Sequence, residues 1–446
     1  MFTKIKFNLP LHFTSIYLAF LGCAIFVQQF LPSYLRYASI EAVSYAMDDG
    51  WCDPKKDGIG THCFGDFYYP LTFVSLDDPW RGVVNPYPPI SLLLYKPFSL
   101  IAELSVPRVA LSLFLLALLI CLVFPVLHLR FVAKEISASV FAILLLVTLL
   151  CAPALMSLDR GNNQLLLTPF LYLFIRNCLL QNPKNVLLYG FFCVLLKPQM
   201  VILAILIYQI VGLKKTFKWL IVVTIIYALS FLIYFRSFPL NIFYWLYRVL
   251  TFQDYAGRGV LMPVNVSISS DIDVLLNIAN LEISRNYVKL FVYLLMAGFS
   301  YLLLKHLKKR SYMHNFILIL FYPLLFTGTA FHYYLCLLYA PFIYHFAAQI
   351  QSRRIGTVKL VADQEVKSPT LSSPLPSFTF LVFAVTAFIP WGIPWSALFP
   401  SLRDRGWDVI GINWIFAQYA LLIFAAVMIF HSPKSKIGLI KGKAKS

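Results

Sequence analysis

The chain consists largely of long apolar stretches separated by short polar turns, and this pattern limits the folds it can adopt. Of its 446 residues, 60% are hydrophobic and 13% are charged, and the mean hydropathy is +0.76. Soluble domains carry about 25% charged residues, whereas a helix that crosses a bilayer needs roughly 20 mostly apolar residues. We therefore predict an all-α polytopic membrane protein of about 12 transmembrane helices, forming a single multi-pass domain over residues 1–446.

The predicted spans follow from the hydropathy of the chain. They lie at 12–31, 107–129, 136–157, 165–181, 185–213, 217–235, 287–304, 314–331, 333–349, 378–398 and 411–431. The first lacks a small-residue cleavage site, so we expect a retained helix and no cleaved signal peptide. The stretch at 185–213 is interrupted by Lys197-Pro198-Gln199, and its short arms predict a pair of short helices that descend and return.

Lysine and arginine in short loops indicate the cytoplasmic side, because positive segments resist translocation. The basic segments are Lys4 and Lys6, Arg130 and Lys134, Arg176 and Lys184, Lys214 to Lys218, Lys305 to Arg310, Arg353 and Arg354, and a tail at 432–446. Counting spans places all of them on one face, together with a Ser- and Pro-rich linker at 350–377. The net charge of +18 therefore indicates topology and attraction to anionic membrane lipids, and no nucleic-acid partner is expected.

The opposite, extracytoplasmic face receives two long loops, at 32–106 and 236–286. Few residues are needed to turn between spans, so loops of this length suggest a function at the membrane surface. The first loop carries Cys52 and Cys63 with ten residues between them, and they could form a disulfide in an oxidising compartment. A metal pair with His62 is the alternative, although no further ligands cluster nearby.

The first loop also carries the carboxylates that are candidates for chemistry. Asp66 is flanked by aromatic residues in the segment 65–69, and these can exclude water and stack on a sugar ring. Partial desolvation makes a carboxylate a better base, but an aspartate here could instead cap the following helix. Asp77 and Asp78 follow it, and Asn85-Pro86-Tyr87-Pro88-Pro89 leads rigidly into an apolar run.

A polar segment that opens a span on the same predicted face is a candidate anion site. Arg160, Asn163 and Gln164 would lie at a helix N-terminus, whose unpaired backbone donors suit a phosphate. Ordinary interfacial capping is the alternative interpretation of these side chains.

Two further residues reach this face. Lys197 lies in an apolar hairpin with no acidic neighbour in sequence, and so costly a charge usually has a function, with snorkelling to the interface as the alternative. His332 lies beside aromatic residues in the turn between two spans, where interfacial packing is the alternative role.

In their order along the chain these segments resemble glycosyltransferase family 87 of the GT-C superfamily, the polyprenol-phosphate-mannose-dependent mannosyltransferases. The segments that carry the resemblance are GDFYY, NPYPP, RGNNQLLL, LKPQ, PVNVSI and FHYYLCLLYAP. Each is weak alone, but all six occur in the family's order and on one predicted face. The resemblance implies a GT-C-like helical bundle with a long first extracytoplasmic loop.

The resemblance also implies roles for single residues. Asp66 is similar to the first-loop aspartate that acts as general base, and His332 resembles the late histidine near the donor. The first loop is longer than the family pattern, which leaves Asp77 or Asp78 as possible substitutes for Asp66.

The donor phosphate would face a second group of residues. Arg160 and Lys197 would supply the charge there, with Asn163 and Gln164 beside them. The chain departs from the family at this point, because Asn162-Asn163-Gln164 stands where Gly-Gln-x-Asn is usual.

The implied reaction is a single inverting displacement that moves a hexose, with mannose as the family's suggestion. The donor would be a polyprenyl-phosphate sugar and the acceptor a hydroxyl of a glycan or glycolipid on the extracytoplasmic face. No metal or other cofactor is expected, because a monophosphate leaving group has less need of a metal than a diphosphate. The segment Asp271-Ile272-Asp273 is more typical of a helix cap than of a metal site.

Other functional classes remain open at this point. A lipid-linked sugar transporter or flippase would predict internal repeats, and none is evident. An O-antigen ligase or polymerase would usually place its largest loop late in the chain. A non-catalytic membrane scaffold is the remaining alternative.

Overall fold

The structure, a computed structural model, describes residues 64–82, 85–104, 107–132, 138–150, 161–258, 283–307 and 312–326, together with single positions between 154 and 343. Of the described residues 87% are helical, and no strand occurs among them. The predicted all-α class is confirmed for this part of the chain. The predictions for Cys52, Cys63, Arg160 and His332, the spans at 12–31, 378–398 and 411–431, the linker and the tail lie outside the described residues.

The helices are numbered here in chain order. They are α1 (Gly65–Val74), α2 (Pro89–Leu104), α3 (Pro107–Val132), α4 (Ala138–Leu150), α5 (Thr168–Leu179), α6 (Pro183–Leu196), α7 (Ala204–Val211), α8 (Leu213–Ser230), α9 (Leu240–Arg258), α10 (Arg285–His306) and α11 (Tyr312–Phe321). Short 3-10 segments precede α5 at Asn163–Leu167 and α7 at Pro198–Leu203, and a third follows α8 at Phe231–Ser237.

Three of the described helical segments are long and apolar enough to cross a membrane. They are Val109–Val132, Leu213–Ser237 and Asn286–His306, and they coincide with spans predicted at 107–129, 217–235 and 287–304. Leucine, isoleucine and aromatic side chains remain exposed along these segments, and a contiguous apolar surface of this kind is typical of contact with lipid. These features support association of the protein with a membrane.

The predicted break at Lys197 is confirmed. α6 ends at Leu196, Lys197 is extended, and a 3-10 turn beginning at Pro198 leads into α7. A Cβ built on Gly190 of α6 would lie 3.0 Å from Cδ1 of Ile207 in α7, so the two arms pack side by side. The segment is a helical hairpin with Lys197 at its tip.

The described end of the first predicted loop is helical and well packed, which hydropathy alone did not indicate. α1 and α2 share an aromatic core in which the Phe67 ring lies 4.9 Å from that of Phe114 on α3, and the Tyr95 ring lies 5.3 Å from the same ring. Because aromatic rings bury large areas, this cluster fixes α1 against a helix that is long and apolar enough to cross a membrane.

The second predicted loop also contains a helix, α9, which sequence analysis missed because it is not uniformly apolar. α9 contacts the first loop directly. Trp245 Nε1 donates to the Pro86 carbonyl at 3.1 Å, and Arg248 Nε donates to the Trp80 carbonyl at 3.1 Å. The two long loops therefore meet, as expected for segments on one face.

Candidate functional site

Asp66 lies in the first turn of α1 and is half-buried. The N-terminal end of a helix carries a partial positive charge, which favours an ionised carboxylate. Phe64, which precedes the helix, adopts a left-handed conformation with φ 53°, and it is fully buried. The start of α1 is thus held in place, and Asp66 with it.

Tyr95 of α2 supports the same turn, because its hydroxyl donates to the Asp66 carbonyl at 3.1 Å. Burial raises the pKa of Tyr95 well above its ordinary value, and the nearby Asp66 carboxylate raises that pKa further. The hydroxyl therefore remains protonated and continues to act as a donor.

Asn162, which sequence analysis did not select, contacts the Asp66 carboxylate. Asn162 Nδ2 donates to Asp66 Oδ2 at 2.7 Å. Its Oδ1 accepts from the Gln164 backbone N–H at 2.8 Å, so the same side chain also caps the 3-10 segment. The only signal in sequence was an asparagine at the start of a span, which does not distinguish a cap from a contact 96 residues away.

Lys197 joins the same group of residues from the tip of the hairpin. Its Nζ donates to Gln164 Oε1 at 2.6 Å. Ser91 on α2 donates to the Leu196 carbonyl at 3.2 Å, which fastens the tip beside the first loop. Asp66, Asn162, Gln164 and Lys197 are therefore connected through successive hydrogen bonds, and we call these four residues the Asp66–Lys197 network.

Gln164 leaves one donor of this network unsatisfied among the described residues. The side chain is only 4% exposed, and its Nε2 is buried with no hydrogen-bond partner in the described part of the protein. A buried donor without an acceptor costs about 1–3 kcal/mol. A ligand oxygen at this point, beside the Lys197 ammonium, would remove that cost.

The alternative carboxylates occupy different surroundings. Asp77 is 70% exposed and pairs with Arg236 at 2.6 Å. Asp78 Oδ1 accepts from the Trp80 backbone N–H at 3.1 Å, while its Oδ2 is buried without a partner among the described residues. Both follow α1. Among the described residues Asp77 contacts Arg236 and Asp78 contacts the turn at Trp80, and neither bonds to the network.

Among the predicted phosphate-facing residues, Gln164 and Lys197 are brought together and Asn163 begins the adjacent 3-10 segment. Arg160 immediately precedes the described turn. Within the described ranges no group of three His, Cys, Asp or Glu residues is placed to hold a metal ion. The expectation that no metal is needed stays a prediction.

The arrangement combines a carboxylate that can accept a proton with a cation and an amide donor that can bind an oxyanion. It is built from the first loop, the turn before α5 and the hairpin tip. Comparison with known proteins adds no family to this description, since no family model, curated protein or solved structure matches the chain.

Proposed function

We propose that the protein is a membrane glycosyltransferase of the GT-C type, which moves a hexose from a polyprenyl-phosphate donor to an acceptor hydroxyl on the extracytoplasmic face. Mannose is the sugar suggested by the resemblance to family 87. The observation that carries the proposal is the Asp66–Lys197 network, which links a candidate base to a candidate phosphate ligand.

The base side of the reaction is assigned to Asp66. Its carboxylate accepts the proton of the acceptor hydroxyl while that oxygen attacks the anomeric carbon of the donor. The bond between the anomeric carbon and the phosphate oxygen breaks in the same step. The new glycosidic bond has the opposite anomeric configuration, and the electron pair leaves with the polyprenyl phosphate.

The phosphate side is assigned to Lys197 and Gln164. Negative charge grows on the departing phosphate in the transition state, and fixed donors aimed at that charge lower the barrier. The Lys197 ammonium and the buried Gln164 Nε2 supply such donors. Arg160 and His332 belong to the same proposal as further ligands of the donor.

The lipid nature of the donor is supported by the surroundings of the network. One membrane-length apolar segment, Val109–Val132, lies between Asp66 and Asn162 in the sequence, and another, Leu213–Ser237, follows Lys197. α3 packs directly against α1 through Phe67 and Phe114. A polyprenyl chain in the bilayer would bring its phosphate to such a site without leaving the membrane.

The test uses the full chain in lipid nanodiscs with synthetic polyprenyl-phosphate donors that carry radiolabelled mannose, glucose or galactose. Membrane extract of the source cells supplies the acceptor. We expect one donor to be consumed, with label in a new glycan or glycolipid and release of polyprenyl phosphate, and we expect no consumption with Asp66→Asn.

Two results would overturn the proposal. One is that no polyprenyl-phosphate donor is consumed by the wild-type protein. The other is that Asp66→Asn transfers sugar at the wild-type rate. A flippase would be revealed by movement of intact donor across a vesicle membrane without any release of polyprenyl phosphate.

A further inference from the structure

Asn162 uses both ends of its amide to join the two halves of the site. The side chain is only 6% exposed. Its Nδ2 donates to Asp66 Oδ2 and its Oδ1 accepts from the Gln164 backbone. Turning the amide over would place its oxygen against the carboxylate and its NH2 against a backbone N–H, so this orientation is fixed by both partners.

The backbone around Asn162 is held as firmly as its side chain. Gly161 has φ +60°, and a Cβ built there would lie 2.8 Å from the Cβ of Phe67, the residue after Asp66. The Asn162 N–H donates to the Ser157 carbonyl at 2.8 Å. The turn therefore lies directly against the first turn of α1, which carries Asp66.

We propose that Asn162 is a positioning residue for Asp66, which orients the carboxylate and stabilises its ionised form. This inference rests on the proposed function and names a residue that acts on the reaction through the base and not through contact with the substrate. An amide N–H that donates to a carboxylate favours the charged state, and only the charged state can accept the acceptor's proton.

Two further described residues lie near the carboxylate. Tyr95 of α2 donates to the backbone of Asp66 and not to its carboxylate. Lys197, at the hairpin tip, reaches the network through Gln164. Among the described residues, Asn162 thus links the phosphate half of the site to the base.

Asn162→Asp separates this role from ordinary helix capping. Aspartate is as good an N-cap as asparagine, so the bond from the Gln164 backbone survives. It cannot donate to Asp66 when ionised and instead places a second negative charge there. Asn182→Asp is the matched control, because Asn182 also caps a helix by accepting from the Asn185 backbone at 3.3 Å. In the described part of the protein, Asn182 has no hydrogen bond to the network.

In the nanodisc transfer assay we expect Asn162→Asp to lower kcat by about 10- to 100-fold, as for a misplaced reacting group. The KM for the donor should change less than threefold. A threefold change corresponds to about half of the 1.4 kcal/mol that a tenfold change represents. The acid limb of the pH–rate profile should move to higher pH, because the carboxylate is protonated more easily. Asn182→Asp should leave the rate and the pH profile unchanged.

A second measurement does not depend on transfer. Carbodiimides modify protonated carboxyl groups, so labelling of the peptide containing Asp66 as a function of pH, followed by mass spectrometry, reports its ionisation. The labelling midpoint should rise in Asn162→Asp and stay at the wild-type value in Asn182→Asp.

The outcomes separate the two proposals. If Asn162→Asp keeps both the wild-type pH–rate profile and the wild-type labelling midpoint, the positioning role is wrong even where the wild-type enzyme transfers sugar. If the wild type consumes no donor, the proposed function is wrong, and the labelling experiment still decides whether Asn162 holds Asp66 in its charged form.

Discussion

Asp66 and Asp77 belong to the same predicted loop, yet the burial and the contacts of the two carboxylates differ. Asp66 is half-buried, and its contact with Asn162 spans 96 residues of sequence. Asp77 is mostly exposed and meets an equally exposed Arg236. A carboxylate connected to buried polar groups has a fixed orientation, whereas an exposed ion pair is screened by water and fixes little. The comparison indicates that connectivity, and not acidity or loop position, identifies the candidate base.

The largest expected effect that tests the difference between Asp66 and Asp77 is on transfer activity. Asp66→Asn removes the proton acceptor, and general base catalysis contributes about 10²- to 10⁴-fold, so we expect a loss in that range. Asp77→Asn, in the same loop, should retain nearly full activity. Both rates are measured with the same donor in nanodiscs. Equal losses in the two variants would contradict the assignment of the base.

The next effect concerns the phosphate half of the network. Lys197→Met keeps the length of the side chain but removes the ammonium, and we expect kcat/KM to fall by about 100-fold, as for loss of a preorganised transition-state donor. Lys214→Met is the control, since Lys214 lies exposed at the start of α8. Undiminished activity in Lys197→Met would separate the lysine from the reaction.

A third prediction compares two glycines with left-handed backbones. Gly161→Ala should cost roughly 2–5 kcal/mol of unfolding free energy, because it combines a positive φ with a clash against Phe67. Gly82→Ala should cost only about 1–2 kcal/mol, since Gly82 has φ +77° but nothing within 4 Å of its built Cβ. Thermal unfolding in detergent measures both. Similar losses of unfolding free energy in the two variants would mean that the turn at Gly161 does not pack closely against α1.

The smallest expected effect lies at the surface pair. Arg236→Gln removes the partner of Asp77, and exposed ion pairs contribute about 0–1 kcal/mol. The unfolding midpoint should therefore shift little, and any shift should vanish as salt is raised, because salt screens exposed charges. A large, salt-independent loss would show that the pair holds the first loop to the end of α8.

The sequence was sufficient to predict the helical class of the described residues, three helical segments long and apolar enough to cross a membrane, and the break at Lys197. These follow from hydrophobicity and from proline, which act locally. Sequence analysis also selected Asp66, Gln164 and Lys197. A carboxylate beside aromatic residues, an amide at the start of a span and a charge in an apolar hairpin can each be recognised from a few neighbouring residues.

The sequence could not separate Asp66 from Asp77 and Asp78, nor could it select Asn162. The difference depends on which side chains meet across the fold, and no local pattern encodes the contact between positions 66 and 162. The α9 helix was missed for a local reason, because polar residues such as Asn241, Arg248 and Gln253 interrupt its apolar sequence.

The length of the hairpin sets the depth at which chemistry would occur. α6 has 14 residues, which corresponds to about 21 Å of helix, whereas the hydrocarbon core of a bilayer is about 30 Å thick. With the predicted orientation, an arm that starts at the cytoplasmic boundary leaves Lys197 recessed several ångströms beneath the outer headgroups. A lipid-borne phosphate would have to sink slightly to meet it, and a water-soluble sugar nucleotide would have to enter that recess without a lipid chain to guide it. Under the proposed function, such a hairpin would suit a donor that already resides in the membrane, and transfer is then expected to depend on bilayer thickness.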